Sequence, residues 1–165
     1  MRLVPVDAKN EAHVEYLWYL LTMRPPVACV SDDGNTSKAR HTAFVKKHPY
    51  WDWCLIEVDH RHPRYPWWPW TIYTEFVGST FISKPALPSV VGDELHVEIA
   101  PKHQGNGYAE QALLAMMEKH PRQRWVANVA RGNFASMALF SKLGFSECQV
   151  TFEKKSDVVW PVLGK

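Results

Sequence analysis

The stretch Ala100-Pro101-Lys102-His103-Gln104-Gly105-Asn106-Gly107-Tyr108-Ala109 joins a predicted strand to a strongly amphipathic predicted helix. The glycines at 105 and 107 let the backbone turn sharply and expose consecutive N–H groups at the start of that helix. These donors and the positive end of the helix dipole form an anion site suited to a pyrophosphate. No Gly-Lys-Ser/Thr follows and a third glycine is missing, so the loop is neither a P-loop nor a dinucleotide-binding fingerprint. A plain turn is the simpler alternative.

Hydrophobic periodicity on both sides of this loop predicts a mixed sheet with flanking helices. The predicted helices cover 10–23, 36–45 with Thr36 as N-cap, 105–119, and 134–143 with Asn133 as N-cap. The predicted strands cover 4–6, 53–58, 77–83, 95–99, 125–129 and 148–152. This order predicts an α+β or mixed α/β fold. We expect one domain over 1–165, with an aromatic, proline-rich insertion at 59–70 and a short tail at 156–165.

Two motifs in this order resemble the GNAT superfamily of N-acetyltransferases. Gln104-Gly105-Asn106-Gly107-Tyr108-Ala109 is similar to that family's Q/R-x-x-G-x-G/A signature. The downstream segment Asn133-Phe134-Ala135-Ser136-Met137-Ala138-Leu139-Phe140-Ser141-Lys142-Leu143-Gly144-Phe145 is similar to its N-x-x-A/S-x-x-L-Y-x-K-x-G-F pattern. The resemblance implies a mixed, mostly antiparallel sheet of six or seven strands with about four helices, its fourth and fifth strands splayed apart. It also implies acetyl-CoA as co-substrate, without a metal.

The same resemblance implies where acetyl-CoA would lie. Backbone groups of residues 97–99 would pair with its pantetheine arm, and N–H groups of residues 104–109 would hold its pyrophosphate. A third group of residues would line the thioester end. The residues expected to bind acetyl-CoA are Val97, Ile99, Gln104, Gly105, Asn106, Gly107, Tyr108, Ala109, Asn133, Ser136 and Phe140.

Three titratable residues alternate along the fourth predicted strand. Glu94, His96 and Glu98 alternate with apolar residues and therefore point to one face, where a base could accept the proton of an attacking amine. The alternative is an ordinary solvated face. The resemblance favours Glu94 as the base, then Glu98, with His96 third. Phe140 stands where the family usually has a tyrosine proposed as the acid for the departing thiolate, so a non-catalytic CoA-binding protein is also considered.

The acceptor is the part of the function that the sequence identifies least. Arg24, Tyr50 and Trp53 lie where members of the family shape the acceptor pocket, and Trp67 and Trp68 lie in the 59–70 insertion. Resemblance to a subgroup with Arg-Pro-Pro and His-Pro-Tyr segments suggests a bacterial or phage-encoded enzyme for a small amine, such as an amino-sugar nucleotide. The alternatives are an amine on a modified nucleobase, on DNA or on a protein. The tryptophans could instead form a hydrophobic cluster or a homodimer contact.

Composition sets limits on these functions. With 165 residues, 22% of them charged, and a formal net charge of +2, the chain is too weakly basic for tight non-specific binding of nucleic acid. No signal peptide or membrane span is recognised, so a cytoplasmic location is expected. The three cysteines form no CxxC pair, and His60 and His62 are interpreted as surface residues, so no metal site is predicted.

Overall fold

The computed structural model describes residues 1–25, 36–61, 72–83 and 92–148. Within these ranges lie five strands and four α-helices. In chain order they are β1 (Arg2–Pro5), α1 (Glu11–Met23), α2 (Lys38–Lys47), β2 (Asp52–Arg61), β3 (Ile72–Ser83), β4 (Asp93–Ile99), α3 (Tyr108–Lys119), β5 (Trp125–Val126) and α4 (Phe134–Lys142), with a 3-10 turn at Pro101–His103.

The strands form one mixed sheet in the order β1-β2-β3-β4-β5. Neighbouring strands pair antiparallel from β1 to β4, and β5 then pairs parallel to β4. A parallel pair needs a crossover connection, and α3 supplies it here. The expected mixed, mostly antiparallel sheet with four flanking helices is therefore confirmed. Five of the six strands predicted along the chain are present in the described ranges.

Helices cover both faces of the sheet, so alternate residues of β2 enter different cores. Trp53 and Leu55 belong to a core built with α1 and α2, whereas Cys54 between them belongs to a core built with α3 and α4. The buried helix residues are Val14, Leu17, Leu20 and Val45 in the first core and Leu113, Met116 and Phe140 in the second.

Two predicted helix starts need correction. α3 begins at Tyr108 rather than at residue 105, because Gly107 has a left-handed conformation that the helix cannot contain. α2 is capped by Ser37 rather than Thr36, since the Ser37 hydroxyl accepts a hydrogen bond from the backbone N–H of Arg40 at 3.3 Å. The predicted cap of α4 by Asn133 is confirmed.

The boundaries of several predicted segments also change. β2 continues to Arg61, so residues 59–61 are paired strand residues rather than the beginning of the insertion. Residues 62–70 of that insertion, residues 149–152 of the predicted last strand, and the tail at 156–165 lie outside the described residues. β5 ends at Val126 rather than at 129. In the ranges that are described, no helix is both long enough and apolar enough to cross a membrane.

Candidate active site

The loop between β4 and α3 has the sharp backbone turns that its glycines predicted. Gly105 and Gly107 have φ values of +79° and +75°, which strongly favour glycine. A Cβ placed on Gly105 would meet no atom within 4 Å, and one on Gly107 would meet only the Gln111 side chain, at 3.8 Å. The space beside both glycines is therefore open to a ligand that approaches the backbone.

Polar side chains of the same loop hold it in shape. Gln104 donates from Nε2 to the carbonyl of Ile99 at 3.1 Å, and Asn106 donates from Nδ2 to the last carbonyl of the 3-10 turn at 3.0 Å. The backbone N–H of Gln104 donates to the first carbonyl of that turn at 3.3 Å, so it is already used within the protein. In the described part of the chain, the N–H groups of residues 105–109 have no such partner. They lie at the start of α3, where the helix dipole favours an anion.

β4 and β5 separate soon after they meet, as expected. Their ladder consists of two residue pairs, and the second is Glu94 opposite Val126, where β5 ends. β4 continues to Ile99 and stays paired with β3 on its other side. Over residues 97–99, the edge of β4 that faces away from β3 pairs with no described strand. Its backbone groups can therefore pair with an extended ligand.

The residues expected near the thioester divide into two kinds. Asn133 caps α4 by accepting a hydrogen bond at Oδ1 from the backbone N–H of Ser136, at 3.1 Å, and both residues are half-buried. Phe140 lies in the core shared with α3, with its ring centroid 5.1 Å from that of Phe145. Phe140 therefore contributes packing at the base of α4, and it has no hydroxyl to donate.

Glu94 and His96 form a contact on the polar face of β4. His96 Nε2 lies 3.2 Å from Glu94 Oε1 and 3.0 Å from the hydroxyl of Ser83. Glu94 is only 4% exposed, and its Oε1 accepts a hydrogen bond from Asn128 Nδ2 at 2.8 Å. The alternative of a solvated face therefore does not describe Glu94. A buried carboxylate that keeps polar partners is a common feature of catalytic sites.

The environment of His96 makes it a neutral imidazole at physiological pH. Its ring stacks on Phe81 with 4.3 Å between centroids and 13° between planes. Burial, and secondly the positive charge of Arg24, lowers the pKa of His96 to about 4. The uncharged ring keeps a nitrogen lone pair, which is what a proton acceptor needs.

Glu98, the third residue of this face, is held by Arg24 from the end of α1. Arg24 donates from Nε to Glu98 Oε1 at 3.0 Å and from Nη2 to Oε2 at 2.6 Å. A two-pronged pair of this kind fixes both side chains. Arg24, expected to contact the acceptor, therefore lies next to the polar face of β4, and both oxygens of Glu98 are already engaged.

The aromatic residues expected at the acceptor side differ in exposure. Tyr50 is half-buried and stacks on Phe81 with 3.9 Å between centroids, and its burial raises the pKa of the phenol. Trp53 is 4% exposed, and its indole N–H donates to the hydroxyl of Ser79 at 2.9 Å. Trp53 thus belongs to the core, whereas Tyr50 lies at its rim. Trp67 and Trp68 lie outside the described residues.

Sequence reasoning missed three residues that complete this site. Phe81 and Ser83 lie directly opposite His96 and Glu94 in the β3–β4 ladder. A prediction of how β3 and β4 pair would therefore have identified both residues. Asn128 follows β5 and reaches Glu94 across the sheet, and no local pattern in the sequence marks it.

Comparison with known proteins gives one family. The model of the acetyltransferase (GNAT) domain family matches residues 9–146. No curated protein sequence matches the chain.

Solved structures share the fold at low sequence identity. A ribosomal-protein-alanine N-acetyltransferase from Brucella melitensis is 18% identical, with a TM-score of 0.60 over 90% of this chain and 86% of that one. A ribosomal L7/L12 alpha-N-protein acetyltransferase in complex with coenzyme A is 19% identical, with a TM-score of 0.58 over 85% and 76% of the two chains. An aminoglycoside 6'-N-acetyltransferase from Acinetobacter haemolyticus is 18% identical, with a TM-score of 0.52 over 95% and 100%.

Proposed function

The chain belongs to the GNAT acetyltransferase family, and we propose that it moves the acetyl group of acetyl-CoA to the primary amine of a small molecule. The acceptor class that we favour is an amino-sugar nucleotide, attacked directly while both substrates are bound. One arrangement carries this proposal. β4 has an unpaired edge that leads into the glycine loop, and the same strand holds the Glu94–His96 contact on its polar face.

The donor side of the site fits a nucleotide thioester. When bound, acetyl-CoA would supply an activated acetyl group on a leaving thiolate. The edge of β4 over 97–99 would pair with its extended arm, and the N–H groups of residues 105–109 would hold its pyrophosphate. The open space beside Gly105 and Gly107 allows the phosphates to approach the backbone closely.

The Glu94–His96 contact supplies a route for the proton of the amine. An alkylamine with a pKa near 10.4 is neutral in only about 1 part in 2,500 at pH 7, so loss of its proton must be assisted. His96 is the more exposed of the two, with 28% of its side chain accessible against 6% for Glu94. A ring with a pKa of about 4 does not keep such a proton, so we infer that His96 passes it from the amine, directly or through water, to Glu94.

Release of the thiolate needs no acid from α4. Phe140 cannot donate a proton, and the fold buries it in the core. A thiol of ordinary pKa near 8.5 is a tolerable leaving group, and solvent can protonate it. Absence of this acid is thus compatible with turnover.

The acceptor side offers a charged pair beside an aromatic wall. Arg24 and Glu98 form a fixed ion pair near His96, and Tyr50 and Phe81 stack against each other on the same side of the sheet. A sugar presents an apolar face to such rings and hydroxyls to such ions. The three acetyltransferases named above, two for ribosomal proteins and one for an aminoglycoside, show how widely acceptors vary on this fold.

A screen for release of free thiol from acetyl-CoA tests the proposal. The panel contains amino-sugar nucleotides, polyamines, amino acids, peptides and amine-bearing nucleotides or DNA. We expect the highest kcat/KM with an amino-sugar nucleotide. Preference for a peptide or for DNA would overturn the acceptor class, and binding of acetyl-CoA without turnover on any amine would favour a CoA-binding protein.

A further inference from the structure

A second group of polar side chains lies outside the acetyl-transfer site. His60 on β2, Glu75 on β3 and His103 in the 3-10 turn each place one ligand atom within 4.8 Å of the other two. Glu75 lies 3.3 Å from His103 Nε2 through Oε1 and 3.7 Å from His60 Nε2 through Oε2. We propose that these three side chains bind a divalent transition-metal ion, best suited to Zn²⁺.

Sheet register explains why residues so far apart in sequence converge. Glu75 lies opposite Val58 and Tyr73 lies opposite His60, so His60 and Glu75 are diagonal neighbours on the same face of the β2–β3 ladder. His103 comes to them from the turn that follows β4. Two ligands therefore stand on paired strands, which are rigid supports for a metal site.

The two imidazoles lack the partners that buried nitrogen atoms normally have. The Nε2 atoms of His60 and His103 are both buried, and among the described residues neither makes a well-aligned hydrogen bond, although both face the Glu75 carboxylate. Only 11% of the His103 side chain is exposed. A buried polar atom without a partner is costly, and binding to a metal ion would satisfy both nitrogens at once.

The donor set selects the class of metal. Two imidazoles and one carboxylate are the ligands of many three-residue zinc sites, with about 2.0–2.2 Å to each donor atom. Magnesium and calcium prefer oxygen ligands, so two imidazoles disfavour them. Rotations of the side chains that bring the three donors slightly closer would complete three positions of a tetrahedron, and water would take the fourth.

Lys102 competes for the same carboxylate. Its ammonium group forms an ion pair with Glu75, and that contact holds the pKa of Glu75 below its ordinary value. The Lys102 side chain is 57% exposed and can move into solvent. A bound metal would therefore displace this ammonium group, and its presence weakens the site rather than blocking it.

The position of the site suggests a structural role. A metal here would fasten the 3-10 turn to β2 and β3 just before the glycine loop begins at Gln104. It would not touch Glu94 or His96, and acetyl transfer does not require it. The proposal therefore stands or falls independently of the proposed function.

Titration with Co²⁺ and Zn²⁺ at pH 7.5 tests the site on the full-length protein. We expect one equivalent of Co²⁺ to give the visible absorption of a four-coordinate ion, and Zn²⁺ to displace it. His103→Asn and Glu75→Gln should each weaken binding at least about tenfold, since loss of a supporting residue alone costs that much at known sites. Lys102→Gln should strengthen binding several-fold because it frees the carboxylate.

A matched control separates this site from ordinary surface histidines. His48→Asn removes an exposed histidine at the left-handed end of α2, where asparagine is tolerated, and should leave metal affinity unchanged. Circular dichroism confirms that each variant is folded. Lack of the cobalt absorption in the wild-type protein would overturn the proposal. Affinity that is equal in wild type, His103→Asn and Glu75→Gln would also overturn it.

Discussion

The two ends of the proposed active site differ in the groups that they offer. At the donor end, the loop offers the backbone N–H groups of residues 105–109, and the side chains of Gln104 and Asn106 brace it. At the acceptor end, β4 offers charged and titratable side chains, and each is held by a partner from another element, as Asn128 holds Glu94 and Arg24 holds Glu98. The donor end should therefore depend on backbone shape, and the acceptor end on individual side chains and on pH.

The largest effect is expected from Glu94→Gln. The amide keeps the shape of the side chain and can still accept from Asn128, but it cannot take up the amine proton that His96 passes on. We expect turnover to fall about 10²–10⁴-fold, the usual share of general acid–base catalysis, with the affinity for acetyl-CoA nearly unchanged. Steady-state kinetics and calorimetric titration measure the two quantities separately.

Glu118→Gln is the control for this prediction, because Glu118 is exposed on α3. It should alter neither quantity. Equal turnover in wild type, Glu94→Gln and His96→Gln would mean that no side-chain base is needed.

The next effect should appear at Gly107, because a residue without a side chain leaves room for the pyrophosphate beside the backbone. Gly107→Leu should weaken acetyl-CoA binding about 100-fold or more, close to 3 kcal/mol, because the new side chain would occupy the space needed by the pyrophosphate. Gly144→Leu is the matched control, since Gly144 also has a positive φ, of +84°, and open surroundings. Similar losses of acetyl-CoA affinity in both variants would show that the loop does not bind the pyrophosphate.

Local patterns predicted the glycine loop, whereas the contacts on the polar face of β4 are long-range and were not predicted. The glycines and the apolar stripe of α3 lie between residues 105 and 117, so local spacing alone indicated a turn followed by a helix. By contrast, the partners of the acceptor end are distant in sequence: Arg24 and Glu98 are 74 residues apart, and Asn128 and Glu94 are 34 apart. No periodicity encodes such pairs. They depend on register and on packing of separate elements.

A third prediction concerns β4, the strand that contributes to both ends of the site, and its packing against β3. Gly78 on β3 lies opposite Ile99, and a Cβ there would stand 2.3 Å from the backbone carbonyl of Glu98. Gly78→Ala should therefore displace β4 and destabilise the protein by about 1–3 kcal/mol, as overpacking typically does. Urea unfolding measures the change. Stability equal to that of wild type would show that β3 and β4 do not approach as closely as described.

The effect of His96 on acid stability is absent near neutral pH and grows as the pH falls. Its folded pKa of about 4 is below the ordinary value of 6.5, so the unfolded chain binds the proton more readily between these pH values. The contribution of His96 to the free energy of unfolding is fully present above pH 6.5. It should fall by up to about 1.4 kcal/mol per pH unit between pH 6.5 and pH 4.

Substitution of His96 isolates that contribution. His96→Gln should flatten the decline of the unfolding free energy between these pH values, whereas His48→Asn, at an exposed position, should leave it unchanged. Identical pH profiles for wild type and His96→Gln would show that the ring is not kept neutral by the fold.

Thermal unfolding of the wild-type protein with increasing acetyl-CoA measures binding of the acetyl donor itself. A ligand that binds only the folded chain stabilises it by mass action, about 2.7 kcal/mol at a concentration 100 times the Kd. We predict micromolar affinity and a melting temperature that rises steadily with acetyl-CoA, and that the Gly107→Leu variant lacks this rise. An unchanged melting temperature of the wild-type protein at millimolar acetyl-CoA would contradict the donor site and, with it, the acetyltransferase function.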